Sequence, residues 1–432
     1  MISALFLLGA SLSPGLSAAA MPVTLSEPAA TLEWAARCHD SGAFARGVQT
    51  IFEDALAETR LPREIVVLSP GEAVSFAMES YLDGRRAAGY SVDVHDLPSI
   101  LGDGPWTPHD IRGWLVEHYL DGGLRYLILA GDVESIPMLS THSFDGGKTK
   151  TDYYYADLEG DWDANRNGIW GEGFGDEIDW IPEFIHARIP SADPAEILGV
   201  LQRSEEFAAA AGKHLSHDLL LAGTIAIPGE SGMFQNMVSG LLLGEGVTTT
   251  RHYDTSMFHL GKLWVPLFPD RVYRRMSIVE GWNRTDCRMV YDVSHGNSRG
   301  ISGCDFSELS ELDAKYPAAF VAAACATSTP LGSRHNFSEE LMLVHGHPLI
   351  VGSTDVVYPN LAWHVSPGMF SESIFPLLAN VPGMPFGYAL YVTKRLYYQL
   401  FMSRMQAEGP INTGAQNLKG FTLYGDPTLQ LR

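Results

Sequence analysis

Short apolar runs alternate with stretches of helical spacing along most of this chain, and that alternation leaves few folds open. Glu64–Leu68 (EIVVL) precedes a helical stretch through Tyr81, Tyr90–Val94 precedes another near Ile111–Tyr119, and Leu124–Ala130 (LRYLILA) ends in Gly131-Asp132. A polar, acidic, Gly-rich segment from Asp152 to Asp179 interrupts the pattern. Glu183–Ile189 (EFIHARI) then resumes as a strand and Pro194–Ala211 as a helix. A second series follows at His217–Ile227, Cys287–His295, Ala318–Cys325 and Pro348–Thr354, again with helices between. Strands separated by helices are joined by crossovers, so the spacing predicts an α/β fold with a doubly wound, mostly parallel sheet. The runs group into two halves, residues 61–212 and 213–375. A C-terminal segment, 376–432, carries a helix near Tyr388–Met405 and a strand at Phe421–Leu431.

The chain has 432 residues, of which 46% are hydrophobic and 19% charged, enough to bury a large core and to exclude a disordered chain. The formal charge of −22 repels phosphate backbones and anionic lipid, which argues against nucleic acid or a membrane surface as partner. The four cysteines (Cys38, Cys287, Cys304, Cys325) are too scattered for a disulfide framework, and no CxxC pair offers a zinc site. Ile2–Leu8 is apolar and is followed by Gly, Ser and Pro and then Ala18-Ala19-Ala20, so residues 1–20 read as a signal peptide. Residues 21–60 read as an N-terminal helical segment or pro-segment. No later stretch is long and apolar enough for a transmembrane segment. The expected location is therefore secreted, periplasmic or cell-surface.

The stretch from Cys287 to Thr327 concentrates the chemistry. Arg288–Ser294 is a strand ending at His295-Gly296; a loop and a short amphipathic helix around Phe306–Tyr316 follow; Ala318–Ala324 is a nearly continuous buried strand ending at Cys325. A strand–helix–strand crossover makes the two strands parallel, and we expect them to be neighbours. His295 and Cys325 then emerge together at the carboxyl edge, where open α/β sheets bind ligands. A thiol within reach of an imidazole suits a cysteine nucleophile, because the thiolate attacks. Gly296 leaves its backbone N–H accessible beside the base as an oxyanion donor.

These residues carry a family resemblance. YDVSHG (Tyr291–Gly296) and FVAAACAT (Phe320–Thr327) occur in order with YLILAGD (Tyr126–Asp132), TDYYYAD (Thr151–Asp157), PEFIHARIP (Pro182–Pro190), LIVGST (Leu349–Thr354) and YGDPTL (Tyr424–Leu429). On these motifs the chain resembles the gingipain family of cysteine peptidases, within the caspase-like clan. The resemblance implies a caspase-like fold of two half-domains and a His295–Cys325 dyad. It also implies an oxyanion hole from the N–H groups of Gly296 and Cys325, and Glu183 as acidic partner of the histidine. A residue at the start of a strand parallel to the catalytic ones would sit at the wrong edge, so Glu183 requires a strand that runs the other way or bends. Family members often place Thr-Gly and an aromatic after the nucleophile, whereas ATSTPLGSRHNF follows Cys325 here, so the loop shaping the cleft differs.

Two other patterns compete for attention. Gly296-Asn297-Ser298-Arg299-Gly300 matches the serine-hydrolase G-x-S-x-G pattern, with Asp355 and His364 later in Ser-Asp-His order, but a nucleophile elbow needs a helix directly after Ser298 and this sequence is not helical there. In the acidic segment, Asp161, Asp163, Asn165, Asn167 and Glu172 place oxygen ligands with the alternation that calcium requires, although the sixth position is Arg166 and Gly168 falls two residues late. A structural calcium ion is expected there; solvated Asx turns are the competing account. The reading is an exported cysteine endopeptidase that cleaves protein or peptide substrates through a thioester acyl-enzyme. The alternatives are a calcium-binding surface module with an inactive peptidase fold and a serine hydrolase using Ser298. Oligomeric state is not readable from the sequence.

Overall fold

The computed structural model describes residues 61–143, 146–172, 175–210, 219–224, 248–253, 257–260, 263–266, 269–285, 287–357, 374, 377–378, 383–398 and 413–431. The proposed signal peptide and the 21–60 segment lie outside the described residues.

The first half opens with β1 (Glu64–Ser69), α1 (Glu72–Ala87), β2 (Ser91–Asp96), α2 (Leu97–Leu101), α3 (Pro108–Tyr119) and β3 (Arg125–Ala130). A hairpin follows, β4 (Leu139–His142) with β5 (Lys148–Thr151), then α4 (Tyr153–Ala156), β6 (Phe184–Ile189) and α5 (Pro194–Ala209). The second half runs β7 (Leu219–Thr224), β8 (Thr249–Tyr253), β9 (Met257–Leu260), β10 (Leu263–Pro266), β11 (Arg271–Val272), α6 (Ser277–Arg284) and β12 (Met289–Ser294). Three short strands come next, β13 (Gly296–Asn297), β14 (Gly300–Ile301) and β15 (Cys304–Asp305), followed by α7 (Phe306–Leu309), β16 (Ala319–Ala323), α8 (Phe337–Glu339) and β17 (Leu349–Ser353). The chain closes with α9 (Phe386–Tyr397), α10 (Thr413–Gly420) and β18 (Phe421–Gly425).

Eleven strands form one sheet in the order β11-β8-β7-β12-β16-β17-β18-β6-β3-β1-β2. Every pairing in it is parallel except β17 with β18. That single antiparallel seam reverses the strand direction, so β12, β16 and β17 run one way and β6, β3 and β1 the other. The C-terminal strand read from the sequence is β18, and it lies at the seam between the two halves rather than outside the sheet.

Helices cover both faces, which is why the central strands are nearly continuously apolar rather than alternating. Along β1, Ile65 and Val67 pack with Val74 and Met78 of α1, while Val66 and Leu68 pack with Ile111 and Leu115 of α3. Thr107 caps α3 by accepting from the Asp110 N–H, with Pro108 at the first turn where a missing N–H matters least. Among the described residues, no helix is long and apolar enough to cross a membrane.

Candidate functional site

β12 and β16 are adjacent and parallel, with Val293 opposite Ala323. Each strand continues two residues past that pair, one to His295 and the other to Cys325, so the two residues leave the sheet level with each other on neighbouring strands. Gly296 makes the approach possible. A Cβ built there would sit 2.7 Å from the Cys325 carbonyl oxygen, 2.9 Å from the Ala324 Cβ and 3.2 Å from the Cys325 nitrogen. Only glycine lets the two backbones come this close, and the closeness brings both N–H groups of the expected oxyanion hole into one small region.

Cys325 is half-buried, whereas Cys287 and Cys304 are buried. Burial pushes the Cys304 thiol up, with the nearby Glu308 and Asp305 charges adding to it, so that thiol is inert. Cys38 lies outside the described residues. The residue after Cys325, Ala326, takes a left-handed φ of 57°, a conformation that costs an alanine roughly 1–2 kcal/mol. His295 is exposed to solvent, and its carbonyl oxygen accepts from the Ser302 N–H at 2.9 Å.

Behind the histidine lies a buried polar group that the sequence reading passed over. Asp292 is fully buried in β12 and accepts from the Tyr273 hydroxyl at 2.9 Å and the Ser294 hydroxyl at 2.5 Å. The Ser294 oxygen is also 3.1 Å from the His295 carbonyl. A lone carboxylate within an apolar strand (MVYDVS) was the available signal. Burial pushes the Asp292 carboxyl up to about 7, against the opposing pull of its two hydroxyl donors. An acid raised on folding stabilises the fold fully below its unfolded value near 4, and that contribution is lost as pH rises through about 7. We therefore expect Asp292→Asn, which imitates the neutral acid, to gain stability relative to the parent as pH rises from 5 to 8 in urea unfolding. A constant difference between the two proteins across that range would refute the assignment.

The structure does not bring Glu183 to this pair. Because β6 runs opposite to β12, Glu183 does lie on the edge from which His295 and Cys325 emerge. It is four strand positions from β12, however, roughly 19 Å at the usual strand spacing. Its carboxylate accepts from the Leu158 N–H at 2.6 Å and lies with Glu159 and Asp179, their oxygens within 4.8 Å of one another. Burial raises the Glu183 carboxyl, and the Asp179 and Glu159 charges add to that rise. The role of imidazole partner that the resemblance implies for Glu183 does not fit this separation.

Ser298 sits at the turn joining β13 to β14, where Asn297 Oδ1 accepts from the Arg299 N–H at 2.8 Å. The chain passes from that turn into an antiparallel strand, so the strand–turn–helix context of a nucleophile elbow is missing. His364 lies outside the described residues.

The acidic loop folds on its own side chains. Asp163 accepts from the Gly168 N–H, Asn165 from the Asn167 N–H and Asn167 from the Ile169 N–H. Glu172 receives the side-chain amides of Asn165 at 2.9 Å and Asn167 at 2.6 Å, and these two donors hold its carboxyl below the usual range. Asp161 Oδ1 accepts from the Asp163 N–H at 3.2 Å. Arg166, sixth from Asp161, takes the left-handed φ of 57° that a calcium loop needs at that position, although it is not glycine. Asp176, which the sequence reading did not single out, has Oδ2 on the Glu172 N–H at 2.7 Å and a buried Oδ1 without a hydrogen-bond partner. An orphaned carboxylate oxygen beside this loop fits a hard cation.

Comparison with known proteins returns one family. The model of peptidase family C25 matches residues 58–432. No curated protein matches the chain. Among solved structures, the Arg-specific cysteine proteinase gingipain R (RgpB) is similar at 19% identity and a TM-score of 0.62, covering 87% of this chain and 79% of that one. The complex of Porphyromonas gingivalis RgpB pro- and mature domains is similar at 19% identity and a TM-score of 0.60, covering 86% and 80%. A further structure, described only as a protease, has 15% identity and a TM-score of 0.64, covering 86% and 79%. Identities this low speak for a shared fold alone.

Proposed function

Since the chain belongs to peptidase family C25, the gingipain family, and is thereby a cysteine peptidase, we propose that it is an exported endopeptidase working through His295 and Cys325. The observation that carries this reading is the level placement of the two residues on adjacent parallel strands, with Gly296 pressed against the Cys325 backbone. His295 takes the thiol proton, and the thiolate attacks the carbonyl carbon of a peptide bond. The N–H groups of Gly296 and Cys325 receive the oxyanion. The imidazolium then gives its proton to the leaving amine, and a thioester remains on Cys325. Water, deprotonated by His295, attacks the thioester, releases the carboxylate product and restores the thiol. A peptide-based thiol probe should label Cys325 selectively, and altering His295 should quench the labelling. Equal labelling of Cys287 or Cys304 would speak instead for an inactive surface module.

Export through residues 1–20 belongs to the same reading, on the strength of the Ala18-x-Ala20 pattern. The mature N-terminus should begin at or near Met21, and N-terminal sequencing showing Met1 intact would remove the claim.

We also propose that calcium binds the 161–172 loop in a structural role, with Asp161, Asp163, Asn165, Asn167 and Glu172 as ligands and Asp176 beside them. Bound calcium would neutralise this group and order the loop against the first half of the sheet. Millimolar calcium should raise the melting temperature by roughly 2–5 °C through preferential binding to the native state. The double change Asp161→Ala with Asp163→Ala should abolish the rise. Identical melting of the unmodified protein in calcium and in chelator would rule the site out.

A further inference from the structure

The sulfur of Cys325 is held by a segment far away in sequence. The Val357 N–H donates to Sγ at 3.4 Å, and the thiol lies 3.7 Å from the Val357 carbonyl oxygen. Val357 follows β17, the strand next to β16, so the loops leaving these two strands meet at the nucleophile. The Ala326 N–H, on the left-handed turn directly after Cys325, donates to the Asp355 carbonyl at 2.8 Å. One residue thus touches the turn that carries the thiol and lies two residues from the N–H aimed at its sulfur.

The Asp355 side chain fixes this segment. Oδ1 accepts from the Val356 N–H at 2.7 Å. Oδ2 accepts from the Ser143 hydroxyl at 3.0 Å and the Gln416 amide at 2.9 Å. Ser143 follows β4 and Gln416 belongs to α10, so the carboxylate ties the β17 loop to two elements outside the catalytic crossover. The Gln416 amide also reaches the Val356 carbonyl at 3.3 Å. A backbone N–H delivered to sulfur stabilises the charge that appears there when the proton leaves, and it does so only if its loop cannot retreat.

We propose that Asp355 is a positioning residue for the nucleophile, holding the Val357 N–H on the Cys325 sulfur and the Ala326 turn in register. The inference rests on the reading of Cys325 as the nucleophile. Loss of the carboxylate frees Val356 and Val357 to move away from the sulfur, so the defect falls on the chemical step more than on substrate binding.

The test combines turnover with substrate-free alkylation of Cys325 by iodoacetamide at pH 7, read by peptide mass mapping. Asp355→Ala should lower kcat about tenfold, the loss of roughly one hydrogen bond at the reacting atom, with KM changed less than about twofold. The Cys325 alkylation rate should fall in parallel. Asp355→Asn keeps an oxygen for the Val356 N–H and should recover part of both rates. If Asp355→Ala fails to fold, Ser143→Ala removes a single donor from the carboxylate and should give a smaller loss in the same two measurements. Wild-type turnover and alkylation in a folded Asp355→Ala, or a fall in turnover with alkylation unchanged, would overturn the proposal. Failure of the peptidase reading itself would look different: cleavage would survive Cys325→Ala.

Discussion

Replacing Cys325 with alanine is expected to lower kcat/KM for peptide cleavage by on the order of 10⁴-fold or more while the fold is retained. His295→Ala should come close to the same floor, and the double variant should be scarcely worse than either single one. Non-additivity follows because neither a thiol without a base nor a base without a thiol performs the attack. Alanine at position 325 also removes the sulfur from the Val357 N–H and carbonyl, but a neutral thiol is a weak donor and acceptor and these contacts matter mainly once the thiolate forms, so stability should change little. Ser298→Ala provides the contrast. Its hydroxyl sits on a hairpin turn, and activity should remain within about twofold of the parent because the elbow context is absent. Iodoacetamide should inactivate the enzyme and serine-directed fluorophosphonates should not. Peptide cleavage that survives Cys325→Ala and disappears in Ser298→Ala would transfer the site to the serine.

The adjacency of the proposed pair, His295 and Cys325, is legible because it depends on local pattern. A strand ending in His-Gly, a crossover and a strand ending in Cys make the two strands parallel and bring both ends to one edge, and the structure then sets them adjacent with Val293 opposite Ala323. The helix between is shorter than the spacing around Phe306–Tyr316 predicts: only α7 (Phe306–Leu309) forms, started by the capping box at Asp305 and then left by the chain. What was not readable depends on pairings between distant segments. Nothing in FTLYG announces that β18 lies between β17 and β6, yet that placement reverses the first half of the sheet and puts Glu183 on the edge from which His295 and Cys325 emerge. Distance then separates Glu183 from His295, a matter of strand order that no single sequence reveals. The tie between Ser143 and Asp355 spans 212 residues and has no local signature. Asp292 is the intermediate case, visible as a lone carboxylate in an apolar strand but interpretable only once Tyr273 and Ser294 are seen facing it.

Asp152→Ala should be the most damaging single change to stability among the buried polar groups of the first half. Arg188 in β6 is completely buried, and its guanidinium meets the Asp152 carboxylate twice, Nε at 2.8 Å and Nη2 at 2.6 Å. Its remaining nitrogen donates to the carbonyls of Gly131 at 2.5 Å and Asp132 at 3.1 Å. One side chain therefore joins three of the motifs that carry the family resemblance, YLILAGD, TDYYYAD and PEFIHARIP. Removing the carboxylate leaves a guanidinium in the core with no compensating charge, and breaking such a pair costs about 3–5 kcal/mol. In a chain of this length that corresponds to a fall in melting temperature of roughly 3–6 °C. Arg188→Met should be comparably harmful, because it strands Asp152, itself 1% exposed. The double variant removes both charges and should be more stable than the sum of the single losses implies, since no unpaired ion remains to be desolvated. A double-mutant cycle by urea unfolding measures that coupling. Single losses below about 1 kcal/mol, the range of an exposed ion pair, would mean that water reaches this bridge and that the three motifs are held together by packing instead.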